Sequence, residues 1–114
     1  MPEGRSIAEA FIGESMAAFI LMSVVCWVGL DPKGDPKKIP LAMSLTVALL
    51  IYFVAPISSM CINPARAFGP AIASGFWEHH WLWWTAPFVG GLMAVVPYKY
   101  MLQNEEDRAR SLPK

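Results

Sequence analysis

Residues 58–76 read SSMCINPARAFGPAIASGF, and the placement of this stretch decides the fold of the chain. It is moderately apolar and holds two prolines, two glycines and one arginine. Asn is a favoured helix N-cap, and Pro is favoured at the first helical position, where its missing N–H is no loss. Asn63-Pro64 therefore predicts the start of a helix over about 63–75, ended near Gly75. Such a helix is too short to cross roughly 30 Å of hydrocarbon. It can dip halfway in and place its positive dipole end near the midplane. Irregular backbone at that depth is tolerated only where it is buried in protein or lines a water-filled path. Arg66, in the first turn, stays charged and is costly in lipid, so it is expected to face a polar passage or a group of carbonyls. The residues alone leave a second reading open: a proline-marked helix start in a surface loop, with Arg66 at the headgroups.

The flanks support the membrane reading. Residues 7–30, IAEAFIGESMAAFILMSVVCWVGL, form a predicted span. Glu9 lies where it can reach an interface; Glu14 is deeper and is expected to face protein rather than lipid. The loop DPKGDPKK is hydrated and turn-forming, and a second span is expected over about 40–56. Residues 77–84 hold four tryptophans and two histidines around Glu78, a composition suited to a membrane–water interface. A third span is expected over about 82–102, followed by a polar, exposed tail at 103–114. The predicted fold is thus all-α and integral to the membrane, one domain over 1–114 with three transmembrane helices and one re-entrant half-helix.

Composition agrees. Of the 114 residues, 55% are hydrophobic and 16% charged, against about a quarter charged in an ordinary soluble domain. Net charge is zero, so no basic field exists to recruit nucleic acid. Lysines and arginines gather in the 31–40 loop and the C-terminal tail, which three spans place on one side. The positive-inside rule makes that side cytoplasmic or its equivalent, with the N-terminus opposite. No signal peptide is expected, because residues 1–6 mix an acid, a base and a proline, and the apolar run that follows is too long. Cys26 and Cys61 read as small buried hydrophobes, since neither has a CxxC or His partner at ligand spacing. His79 and His80 are adjacent and diverge on a helix, so they read as interfacial. Without a nucleophile–base set, a carboxylate pair or a metal cluster, neither enzymatic activity nor a cofactor is expected.

INPARAFGPA, preceded by a Pro-Ile-Ser loop and followed by WEHHWLWWTAPFVGG, resembles the second signature region of the aquaporin (major intrinsic protein) family. LAMSLTVALLIYFVAPIS resembles that family's fifth helix, and residues 7–30 with the DP-containing loop resemble the fourth. The resemblance covers nearly the whole chain and corresponds to the C-terminal half of the family. It implies that Asn63 donates its side-chain amide to a passing molecule, that Pro64 and Ala65 lock the tip of the half-helix, and that Arg66 is the selectivity-filter arginine. It also places Ile51 and Met60 at filter positions. Glu14 is either a capping or interface acid, or the buried acid that braces the re-entrant loop.

Two departures bear on function. The family builds one pore from two inverted halves, and one NPA-type segment is present here. The chain is therefore expected to pair within the bilayer with another membrane protein chain: itself, a matching first half, or subunits of a large complex. The loop Ser58-Ser59-Met60-Cys61-Ile62 also lacks glycine, which argues for restricted access to positive φ and a narrowed or closed passage. Two functions follow as expectations. One is half of a channel for water or small neutral solutes; the other is a non-transporting structural subunit in a large photosynthetic or respiratory membrane complex.

Overall fold

A computed structural model describes the backbone of residues 4–111, and the side chains of these except at 103 and 106–111. Every regular element among the described residues is helical. In order they are α1 (Ile7–Val24), continued by a π-helical segment (Val25–Leu30), a 3-10 turn (Pro36–Lys38), α2 (Ile39–Ser58), α3 (Pro64–Ser74) and α4 (Leu82–Ser111).

α1 starts on a reciprocal cap. The Ser6 hydroxyl accepts from the Glu9 N–H at 3.2 Å, and the Glu9 carboxylate accepts from the Ser6 N–H at 2.8 Å. Glu9 thus satisfies the orphan donors of its own helix start. The buried residues of α1 are Ala10, Gly13, Glu14, Ala17 and Ala18, a stripe at three- and four-residue spacing. That stripe faces two neighbours. Ala17 packs with Leu50, Val54 and Met60, while Ala10 packs with Leu82 and Ala86. α1 is consequently the central helix, touching both α2 and α4, which do not touch each other among the described residues.

The α1–α4 crossing is close because its residues are small. Gly90 lies against the Ser15 backbone, and a Cβ there would fall inside the Ser15 carbonyl oxygen. One step away the Ser15 hydroxyl donates to the Ala86 carbonyl at 3.1 Å. Small residues that let backbones approach, with a hydroxyl bonding across, are the usual means of helix association in lipid. The outward faces carry Leu45, Leu49, Phe53, Phe88, Leu92 and Met93, all exposed, as expected of surfaces turned to hydrocarbon.

α1 with its π segment (Ile7–Leu30) and the 3-10 turn with α2 (Pro36–Ser58) are each long and apolar enough to cross a membrane. α2 extends the predicted 40–56 by a residue or two at each end. α4 differs more: its 30 residues run past 102 to Ser111. NEEDRARS consists mostly of good helix formers, so the helix has no local reason to stop where the apolar run does. At this end the Lys33 ammonium bonds the Glu105 carboxylate at 2.9 and 3.2 Å, bringing the 31–38 loop and the C-terminal part of α4 together. The expected tail beyond Ser111 lies outside the described residues.

Candidate functional site

The site is built where α2 ends and α3 begins. α2 closes on Ser59, whose φ of 72° is left-handed, and Met60 (φ 46°) and Ile62 (φ 40°) are left-handed as well. Three non-glycine residues in that region within four positions are uncommon, and a β-branched residue there is a true outlier. Each costs on the order of 1–3 kcal/mol and persists only when its surroundings over-determine it. The absence of glycine therefore did not keep the loop from positive φ, contrary to the restricted access expected from the sequence.

What over-determines the loop is Glu14. It is fully buried on α1, and its two carboxyl oxygens accept from the backbone N–H groups of Cys61 at 2.8 Å and Ile62 at 2.5 Å. Ser58, also fully buried, adds a third hold: its hydroxyl accepts from the Met60 N–H at 3.4 Å. Hydrogen bonds to a charged acceptor contribute about 1.5–3 kcal/mol each, enough to offset the left-handed backbone. Ser58 was not anticipated as a site residue. Gly13 was its available signal, because a Cβ on Gly13 would lie 3.2 Å from Ser58, so the glycine beside Glu14 makes room for the serine.

α3 spans Pro64–Ser74, with Asn63 as N-cap and Gly75 closing it at φ 71°. The Asn63 side-chain oxygen accepts from the N–H groups of Ala65 at 2.9 Å and Arg66 at 3.4 Å. Because both partners are donors, the oxygen must face the helix, and the amide NH2 is left to donate away from it. Asn63, Ala65 and Arg66 are exposed beside one another. Arg66 donates from Nη1 to the Met60 carbonyl in a long bond of 3.5 Å. Its remaining N–H groups have no partner among the described residues.

The other named residues are placed less simply. Met60 is buried, and its side chain packs with Ala17, Leu50 and Val54, so its bulk enters the core and its carbonyl is what faces Arg66. Ile51 stands half exposed on α2 and does not line the cleft next to Arg66. That cleft has a volume of about 590 Å³ and runs along α3, with Ser59, Cys61 and Arg66 on one side and Glu78, His79 and His80 on the other. His80 is held among aromatic rings, 5.0 Å from Trp77, 6.2 Å from Phe68 and 6.4 Å from Trp84. These ring contacts tie α3 to the start of α4. Free cysteines Cys26 and Cys61 are buried and half-buried, and no group of metal-ligating side chains forms among the described residues.

Comparison with known proteins bears on this geometry. A family model described as Major intrinsic protein matches residues 1–98. A probable aquaporin TIP4-2 of Oryza sativa subsp. japonica is 35% identical over 109 residues, covering 94% of this chain and 43% of that protein. A probable aquaporin TIP3-2 of Arabidopsis thaliana is 39% identical over 87% of this chain and 38% of its own length. Aquaporin-8 of Mus musculus is 32% identical over 93% of this chain and 41% of its own length. The chain thus spans about two fifths of the curated relatives it matches.

Proposed function

This chain belongs to the major intrinsic protein family, an all-helical membrane fold, and on that premise we propose that it forms half of a channel for water or small neutral solutes. In this reading α1, α2 and α4 are three spans and α3 is a re-entrant half-helix. A second half, on the same polypeptide or another, completes the pore against the exposed tip at Asn63. The 31–38 loop and the C-terminal end of α4 then lie on the cytoplasmic-equivalent side, where the lysines gather.

The observation that carries the proposal is the pairing of an exposed polar helix tip with a buried clamp. Asn63 and Arg66 present donors at the start of a helix of 11 residues, too short to span. Glu14 holds the loop behind them. Donors fixed in a low-dielectric path offer hydrogen bonds to a neutral polar molecule and need not reorganise as it passes. The Arg66 guanidinium and the positive helix end together raise a barrier to cations and protons. Met60 contributes its carbonyl, and Ile51 an apolar wall to the completed pore.

The test is osmotic water flux by light scattering in vesicles holding this chain with a first half of the same family. Flux is expected, and Asn63→Ala lowers it by about tenfold, the equivalent of one hydrogen bond to the permeant. Arg66→Ala leaves water flux in place but admits a proton current. Stable pairing with no flux overturns the channel reading in favour of a structural subunit, in which the Asn63 tip is covered by neighbouring chains.

A further inference from the structure

At the end of the molecule opposite Arg66's cleft, a smaller cavity of about 260 Å³ is lined by Trp27, Asp31, Lys33, Tyr98, Met101 and Glu105, among others. Tyr98 is 94% buried by complement of its 6% exposure, yet its hydroxyl has no hydrogen-bond partner among the described residues. A buried, unpaired hydroxyl costs about 1–3 kcal/mol, so one that persists calls for a partner beyond the described residues. The tyrosine ring is fixed edge-on against Trp27, with centroids 5.2 Å apart.

The charges around this hydroxyl describe that partner. Lys33 bridges to Glu105, and Asp31 lies across the same cavity, so among the described residues that line it two carboxylates face one ammonium. The excess of one negative charge disfavours an anionic ligand and favours one with its own cation. A metal ion fits poorly, because no three metal-type ligands converge among the described residues. Location narrows the class further. The cavity sits where the apolar α1 segment ends at Leu30 and α4 turns polar, with Trp27 half exposed and Leu30 exposed. Trp and Tyr with a lysine at such a junction mark the headgroup level of a bilayer.

We propose that this cavity binds the headgroup of a zwitterionic phospholipid bearing a primary ammonium, a phosphatidylethanolamine. The phosphate accepts from the Tyr98 hydroxyl and the Lys33 ammonium, and the lipid ammonium donates to Asp31 and Glu105. The acyl chains run down the exposed side chains of α1 and α4. Three N–H donors on the lipid match two carboxylates better than a quaternary ammonium, which has none. The site is independent of the transport reading and stands whether or not solute passes.

The chain, purified in mild detergent from bilayers of equal phosphatidylethanolamine, phosphatidylcholine and phosphatidylglycerol, is analysed for retained lipid by native mass spectrometry. The ethanolamine lipid is expected to be enriched about tenfold over the other two. Tyr98→Phe removes only the unpaired hydroxyl and keeps the ring against Trp27, so the helices fold; it and Asp31→Asn each return retention toward the bulk ratio. Arg5→Gln, a residue that lines the cleft beside Arg66, leaves it unchanged. Equal retention of all three lipids, preference for the anionic lipid, or full enrichment in Tyr98→Phe overturns the proposal. Equal enrichment of the choline lipid overturns the primary-ammonium assignment.

Discussion

The two ends of this molecule are each tied by an acidic side chain, and they use the same chemistry under opposite conditions. At one end Glu14 is fully buried and receives two backbone N–H groups from a loop more than forty residues away. At the other, Glu105 meets Lys33 with both side chains mostly in solvent. Burial separates their weights. In a low-dielectric interior an unpaired polar group costs its full desolvation, so the clamp is obligatory. In water the ion pair exchanges one set of favourable contacts for another. The first holds three strained residues in place; the second only brings two segments together.

Substitution at the buried end is expected to have the largest effect. Glu14→Ala leaves the Cys61 and Ile62 N–H groups unpaired beside the core and is predicted to lower stability by about 2–5 kcal/mol, read as the unfolding midpoint in detergent. A change within measurement error would mean that Ser58 and the Arg66 contact suffice, and the contrast between the ends would collapse. Next comes Gly90→Ala, which drives a methyl into the Ser15 carbonyl one residue from Glu14 and is expected to cost about 1–3 kcal/mol. Gly91→Ala, where nothing lies within 4 Å, is its control and is expected to be neutral or stabilising by up to about 1 kcal/mol.

A third substitution sharpens the account by its sign. Ser59 is exposed at φ 72°, so Ser59→Gly relieves left-handed strain and is predicted to raise stability by roughly 0.5–1 kcal/mol. A loss instead would place the Ser59 side chain among the groups that hold the loop.

The smallest effect belongs to the exposed pair. The hydrogen bond that the Lys33 ammonium donates to Glu105, then the Glu105 charge, raises Lys33 above its usual pKa, against slight burial and with help from Asp31. A raised folded-state pKa gives a contribution fully present below the unfolded lysine value of about 10.4 and lost as pH climbs through the folded value. Amide exchange in the 31–38 loop, corrected for its intrinsic pH dependence, is therefore expected to stay flat from neutral pH to about 10 and to quicken above it. Lys33→Gln should show the quickened rate throughout, with no resolved change in unfolding midpoint.

Legibility followed the range of the interactions. Asn63, Pro64 and Gly75 were readable because a cap, a first-turn proline and a left-handed stop act within a few residues. Residues 7–30 were readable because a bilayer demands a long apolar run. The span expected to end near 102 is followed by helix to Ser111, since the change from apolar to polar marks where lipid ends, not where helix propensity does. The glycine-free loop was read as barred from positive φ, because local preference ignores a clamp contributed by another helix. The resemblance places Met60 at a filter position, and the packing of its side chain on Ala17, Leu50 and Val54 is not legible from local sequence.

By itself, then, the sequence determined the helices, their caps, the family and the short polar-tipped segment, all of which rest on local preference or on overall hydropathy. Only the tertiary structure shows that Glu14 receives the Cys61 and Ile62 N–H groups, that Ser58 adds a bond to the same loop, that Gly90 lets α1 and α4 touch, and that Tyr98 is buried without a partner among the described residues. Those facts depend on which residues meet across the bundle. Meeting is set by the close packing of α1 against both neighbours, where a single Cβ or an unpaired N–H outweighs any local propensity.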